Sequence, residues 1–228
     1  MTERTIHWRN ECRFRHEATS LANRFACCQS CDDPAVPRLI PPVVPRGSLA
    51  RLEQPILTGA GGISLRPWTE TDVEAVVDAF RDPDIQRWHF RRLDAEEARG
   101  WIDAWEERWA RESDASWAIT AGGASDALGY TALRDIDLEF GYGQITYWVR
   151  PRFRRRGIAT EAARALADWA VSDIGLHRLE IRHSTANAES CQVALRAGFN
   201  LEGTARSALL HADGWHDMHV HARLGTKS

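Results

Sequence analysis

Between residues 143 and 173 the chain changes from strand-like alternation to helical periodicity across eight residues, and five of those eight are arginine. Ile145, Tyr147 and Val149 alternate with Gln144, Thr146 and Trp148, the period of two expected of a strand. Ile158, Ala162, Leu166 and Trp169 then share one face of a helix predicted over 158–173, which Gly175 stops. A strand that turns so sharply into a helix favours a layered α/β architecture and leaves the helix's first N–H groups without partners. Those donors and the positive end of the helix dipole converge on one spot, where Gly157 and Ala159 leave the backbone open to a pyrophosphate. The spacing fits neither a G-x-x-x-x-G-K-[ST] phosphate loop nor a G-x-G-x-x-G dinucleotide turn. Arginines at 150, 152, 154, 155 and 156 would elsewhere be read as a solvated charge run; at a helix start they point to phosphate binding.

The flanking sequence supplies further elements. Ile63–Arg66 reads as a short strand, and Thr69 opens a helix with Val73, Val76, Val77 and Phe80 on one face, ended by Asp82-Pro83. Asp94 and Glu97 have capping-box spacing for a second helix, whose Trp101, Trp105 and Trp109 we assign to core packing rather than to a ligand platform. Strands over 116–121, 128–134 and 143–149 form a meander. After the arginine turn and its helix come a strand over 179–183, a helix over 187–197 ended by Gly198, and strands over 199–205 and 218–224. That order predicts a mixed sheet with helices on its faces.

The chain of 228 residues has room for one large domain, or a domain with an extension. Apolar residues at 43% and charged residues at 27% are the balance of a globular protein with a true core. With 29 Lys and Arg against 32 Asp and Glu, the basic excess that nucleic-acid binding would require is missing. No run approaches the ~20 apolar residues that cross a bilayer, and the start has no apolar signal segment, so a cytoplasmic protein with no membrane partner is expected. Residues 1–58 hold no sustained periodicity and carry six prolines between Pro34 and Pro55. They are expected to be a poorly ordered leader before a domain at 59–228, dispensable for folding and turnover. Cys27, Cys28 and Cys31, with His16 upstream, match no usual zinc spacing.

On these residues the chain resembles the GCN5-related N-acetyltransferases, whose Gln/Arg-x-x-Gly-x-Gly/Ala signature stands here as Arg154-x-x-Gly157-x-Ala159. Asn187-x-x-Ser190, Gly198-Phe199-x-x-Glu202-Gly203, Asp213-Gly214 and Asp217 look like the branch that acetylates ribosomal-protein N-termini. With Leu65-Arg66-Pro67 and Tyr147-Trp148-Val149-x-Pro151, the resemblance spans residues 63–225. It implies an α/β fold with a mixed, largely antiparallel sheet of about seven strands flanked by about four helices. It implies acetyl-CoA as co-substrate, with the pantetheine along Trp148 and Val149 and the phosphates at Arg154, Arg155, Arg156, Gly157, Ile158, Ala159 and Thr160. Asn187 and Ser190 would face the cofactor arm, and Ser190 would donate a proton to the leaving thiolate; as a simpler role, Ser190 completes a helix cap. The helices between 69 and 113 would wall the acceptor side.

The acceptor implied is a primary amine, first a protein N-terminal α-amine. The alternatives are a small amine such as an antibiotic, a polyamine or an amino acid, or a catalytically silent acyl-CoA-binding module. A homodimer is left open. Departures from the family pattern are Ala194, where many relatives carry a tyrosine acid, Gln144 where a glutamate is frequent, and Thr146 in place of a common glycine. Glu139 is the candidate base, although an amine with a pKa near ~8 needs little help beyond positioning and a water relay. His216, Asp217, His219 and His221 invite a metal reading, but a sheet strand explains them, and no metal is expected.

Overall fold

The computed structural model describes residues 39–123 and 126–225. The expected leader up to residue 38, with Cys27, Cys28, Cys31 and His16, lies outside the described residues. The strands are β1 (Leu57–Thr58), β2 (Ile63–Arg66), β3 (Ala115–Ala121), β4 (Gly129–Asp137), β5 (Tyr142–Val149), β6 (Arg178–Ser184), β7 (Asn200–His211) and β8 (Gly214–Leu224). They form one sheet in the order β1-β2-β3-β4-β5-β6-β8-β7, antiparallel throughout except for β5 with β6. The helices are α1 (Val73–Ala79), α2 (Pro83–His89), α3 (Ala95–Ala110), α4 (Ile158–Trp169) and α5 (Ala188–Arg196).

The mixed α/β sheet is as expected, with one more strand and one more helix than the approximate counts. The extra helix is α2. Asp82-Pro83 does end the first helix, but Asp82 then caps the next by accepting from Ile85 N at 3.0 Å, with Pro83 in the first turn where its missing N–H costs nothing. At α3 the predicted capping box is present, Asp94 accepting from Glu97 N and Glu97 from Asp94 N, each at 2.9 Å. The helix predicted over 158–173 has regular α geometry to Trp169 and finishes in a π-helical turn over Ala170–Ile174, before Gly175 at φ 90°.

Alternation along the strands divides the core between the two faces. Trp117, Ile119, Leu133, Ile145, Val149 and Ile181 pack with α4 and α5, whereas Tyr130, Ala132 and Trp148 pack with Val76, Phe80, Ile102 and Trp105 of α1 and α3. The tryptophans of α3 serve packing: Trp105 and Trp109 are buried, and Trp101 lies edge-on to both Trp68 and Trp105.

The boundary expected at residue 58 falls too late. The compact unit starts at Ile40, and Val44, Leu49 and Leu57 are buried in the sheet's core. Val43 N and Val44 N donate to the carbonyls of Glu139 and Leu138, at 3.0 and 2.9 Å. The Glu112 carboxylate accepts from Gly47 N, Leu49 N and Ala50 N at 2.6, 2.7 and 3.2 Å. Burial opposes its charge, but these three donors hold its carboxyl below the usual range. Trp109 and Trp117 donate to the carbonyls of Leu52 and Pro55. Proline removed the periodic signal without removing the packing: the segment is anchored through its remaining N–H groups and its carbonyls, to partners 57 or more residues away in sequence.

β5 and β6 pair only at their beginnings, Tyr142 with Arg178, Gly143 with Leu179 and Gln144 with Glu180. Beyond Gln144 they part. β5 stays with β4 to Val149 and β6 stays with β8 to Ser184, so a wedge opens in the middle of the sheet. No described helix is long and apolar enough to cross a membrane.

Candidate active site

The wedge holds a cavity of about 840 Å³ lined by residues 144–149 of β5, 181–184 of β6, the start of α4 and the first turns of α5. Along the open side of β5 the backbone has no strand partner past Gln144, and such groups need another hydrogen-bonding partner when covered. The start of α4 forms one end of the cavity. Gly157 takes φ 76° at the N-cap position and offers no side chain to the first turn, and space for 4 Å around its missing Cβ is empty of protein atoms. Ile158, Ala159 and Thr160 line the cavity with donors that no helical turn can satisfy.

The arginines divide into two groups. Arg150 is buried between Asp78 and Asp126, and Arg152 also pairs with Asp126. Arg154 lines the cavity, but its guanidinium is held by Asp82, by Asp84 at 3.0 Å and by the Val149 carbonyl at 3.1 Å. It ties the turn to α2. Arg155 lines the cavity with φ 62° and has no ion-pair partner among the described residues. Arg156 is absent from the cavity lining; it makes a 3.3 Å bond to the Arg152 carbonyl and lies over the Phe153 ring. Of these five, Arg155 and Arg156 have no carboxylate partner among the described residues.

At the other end, Asn187 is the N-cap of α5, its Oδ1 accepting from Ser190 N at 3.0 Å. Asn187 and Ser190 both line the cavity, as do Trp148 and Val149. Tyr147 reaches from β5 to donate to the Ser190 carbonyl at 3.2 Å, and burial pushes its phenol well above the usual range, so it stays protonated. Ala194 lies on the fully buried face of α5 against the core. The phenol near Ser190 therefore comes from β5, a placement the sequence reading missed because a strand register does not reveal what lies across a gap.

Glu139 is not brought to this site. It occupies the turn before β5, accepts Val43 N through its carbonyl and is absent from the cavity lining. The carboxylates that do line the cavity are Asp84, paired with Arg154, and Glu189 in the first turn of α5. His89, at the end of α2, also lines it. Burial, with Arg91 and Arg134 adding to it against an opposing hydrogen bond that the ring donates to the Tyr147 backbone, pulls His89 down to about 4. A neutral imidazole this weakly basic serves as a hydrogen-bond partner rather than as a strong proton acceptor.

The four residues of the metal reading at the end of the chain do not converge. His216 bonds Ser184 Oγ at 2.7 Å and Asp213 at 2.8 Å, and Asp217 accepts from Ser207 N. His219 and His221 turn instead to His183 of β6.

The model of the Acetyltransferase (GNAT) domain matches residues 63–200, more than half of the chain. The chain belongs to the GNAT acetyltransferase family. Solved structures that share its fold hold coenzyme A or acetyl-CoA. It is 33% identical over 110 residues to the putative ribosomal N-acetyltransferase YdaF of Bacillus subtilis, covering 47% of this chain and 60% of that protein. It is 35% identical over 81 residues to the ribosomal-protein-serine acetyltransferase of Escherichia coli, covering 36% and 45%. These alignments span less than two thirds of either relative. Among solved structures, a probable acetyltransferase superposes with a TM-score of 0.68 at 25% identity, over 74% of this chain and 96% of that one. The ribosomal L7/L12 α-N-protein acetyltransferase RimL shares the fold, with a TM-score of 0.68 at 22% identity over 75% and 98%.

Proposed function

We propose that this GNAT protein transfers the acetyl group of acetyl-CoA to a protein N-terminal α-amine, in a cavity between β5 and β6. The observation that carries the reading is the uncapped start of α4, which opens on the same cavity as Ser190 and Tyr147. The named relatives that act on ribosomal proteins support the choice of acceptor.

Acetyl-CoA, when bound, supplies an activated thioester. The backbone donors of Ile158, Ala159 and Thr160 bind its phosphates, with Arg155 and Arg156 adding charge. The unpaired side of β5 through Trp148 and Val149 offers hydrogen bonds to the amide-bearing arm, as a neighbouring strand would. Asn187 fixes the first turn of α5, and the Ser190 hydroxyl donates to the departing thiolate. Arg154 acts through α2, holding the turn against Asp82 and Asp84. An N-terminal amine with a pKa near ~8 is partly neutral at working pH, and its proton passes to water once it has attacked.

The test is to offer acetyl-CoA with a panel of peptides differing in their N-terminal residue, beside polyamines, amino acids and aminoglycosides, reading thiol release and product mass. Acetylated peptide α-amines support the proposal. Acetylation confined to small amines moves the acceptor class, and CoA binding without thiol release from any amine identifies a silent binding module.

A further inference from the structure

Beside the cavity, whose lining includes His183, four side chains from three elements bring their ligating atoms within 4.8 Å of one another: His183 of β6, Cys191 of α5, and His219 and His221 of β8. β6 and β8 pair so that His183 stands opposite His219 and Ile181 opposite His221, which puts the three imidazoles on one sheet face. Cys191, one residue after Ser190, comes down on them from α5.

The hydrogen bonds fix where the lone pairs point. His183 Nδ1 lies 2.8 Å from the Ser184 carbonyl, and His221 Nδ1 lies 3.4 Å from the Phe199 carbonyl. A carbonyl oxygen only accepts, so both rings carry their proton on Nδ1 and both Nε2 atoms present lone pairs. Those two Nε2 atoms are 3.2 Å apart, and Cys191 Sγ is 3.7 Å from that of His221. His219 Nδ1 is buried without a hydrogen-bond partner.

In tetrahedral zinc sites, Zn–N bonds of ~2.0–2.1 Å and a Zn–S bond of ~2.3 Å put nitrogens about 3.3 Å apart and nitrogen about 3.6 Å from sulfur. The separations of 3.2 and 3.7 Å match this. The backbone bonds at both Nδ1 atoms are the second-shell contacts that orient ligating histidines. We propose that His183, Cys191, His219 and His221 form a tetrahedral site for a borderline-soft divalent ion, zinc by the chemistry of one thiolate and three imidazoles. Coordination releases the Cys191 thiol proton to solvent. With four protein ligands the site is closed, so the ion is a clamp: it fastens the turn of α5 that carries Ser190 to β6 and β8. The sequence reading grouped His219 and His221 with His216 and Asp217 and expected no metal, because strand period groups residues of one strand and is blind to a helix folded over it.

The test uses the full chain, stripped with chelator and titrated with Co²⁺ and then Zn²⁺. We expect one ion per chain, tetrahedral cobalt absorption with a thiolate charge-transfer band, and displacement by Zn²⁺. Cys191→Ser should lose that band and weaken binding beyond the ~10–100-fold that a lost second-shell partner costs. The triple variant Cys27→Ser/Cys28→Ser/Cys31→Ser should retain both. Zinc-edge absorption on that triple variant, which leaves the described fold untouched, should report one sulfur and three nitrogens, whatever the folding of Cys191→Ser. Absence of stoichiometric binding, binding that survives in Cys191→Ser or disappears in the triple variant, or a sulfur-rich shell would each overturn the site.

Discussion

The Tyr147 hydroxyl donates to the Ser190 carbonyl across the gap between β5 and α5, at 3.2 Å. This bond fastens the cavity's two walls at the level where the proposed proton donor sits, and it uses a backbone acceptor, leaving the Ser190 side chain available for chemistry.

Ser190→Ala should therefore lower kcat by about 10- to 100-fold, since a thiolate with a pKa near ~8.5 leaves tolerably without help. Acetyl-CoA affinity should stay within a few-fold of the parent, the pattern of an interaction made in the transition state. Loss of affinity with kcat kept at saturation would make Ser190 a binding or capping residue. Tyr147→Phe should cost about 0.5–1.5 kcal/mol of stability for the lost hydrogen bond, read by denaturant midpoint.

Gly157→Glu tests the phosphate site. The position has φ 76°, which favours glycine, and open space where a side chain would project, so a carboxylate there meets the cavity rather than the protein. Calorimetry should find acetyl-CoA binding lost in a folded variant; parent-like affinity would remove the assignment of α4 as the phosphate cradle.

Truncation separates the two boundaries. A chain beginning at Ile40 should melt within a few degrees of the full protein, because the sheet unit begins there. One beginning at Ala60 strips Val44, Leu49 and Leu57 from the core and leaves the Glu112 carboxylate without its amide donors, so it should be strongly destabilised or insoluble. Equal melting temperatures for the two would restore the boundary at residue 58.

His89 predicts a pH effect. Its folded value lies near 4 against an ordinary 6.5, so between those values the unfolded chain binds the extra proton and the folded chain does not. Its contribution is complete above pH 6.5 and is lost as pH falls toward 4. Thermal melts across that window should decline with acidification, and His89→Gln should flatten the decline; an unchanged slope would show that His89 is not the titrating group.

The chain alone determined those features that neighbouring residues create. Alternation in β5, the Asp94–Glu97 box and Gly157 before α4 are each set by contacts within a few residues, and the order of such elements gave the layered sheet and the open start of α4. Tertiary structure decided what depends on residues distant in sequence. β5 and β6 part after Gln144 and make the cavity, and the segment from Val43 to Pro55 is held by hydrogen bonds to partners more than 50 residues away. The same turn that looked close to the site in sequence carries Glu139 away from it, while His183 and Cys191 meet His219 and His221 only once α5 folds over β6 and β8. Local periodicity tells which face a side chain takes; it holds no information about which other element will cover that face.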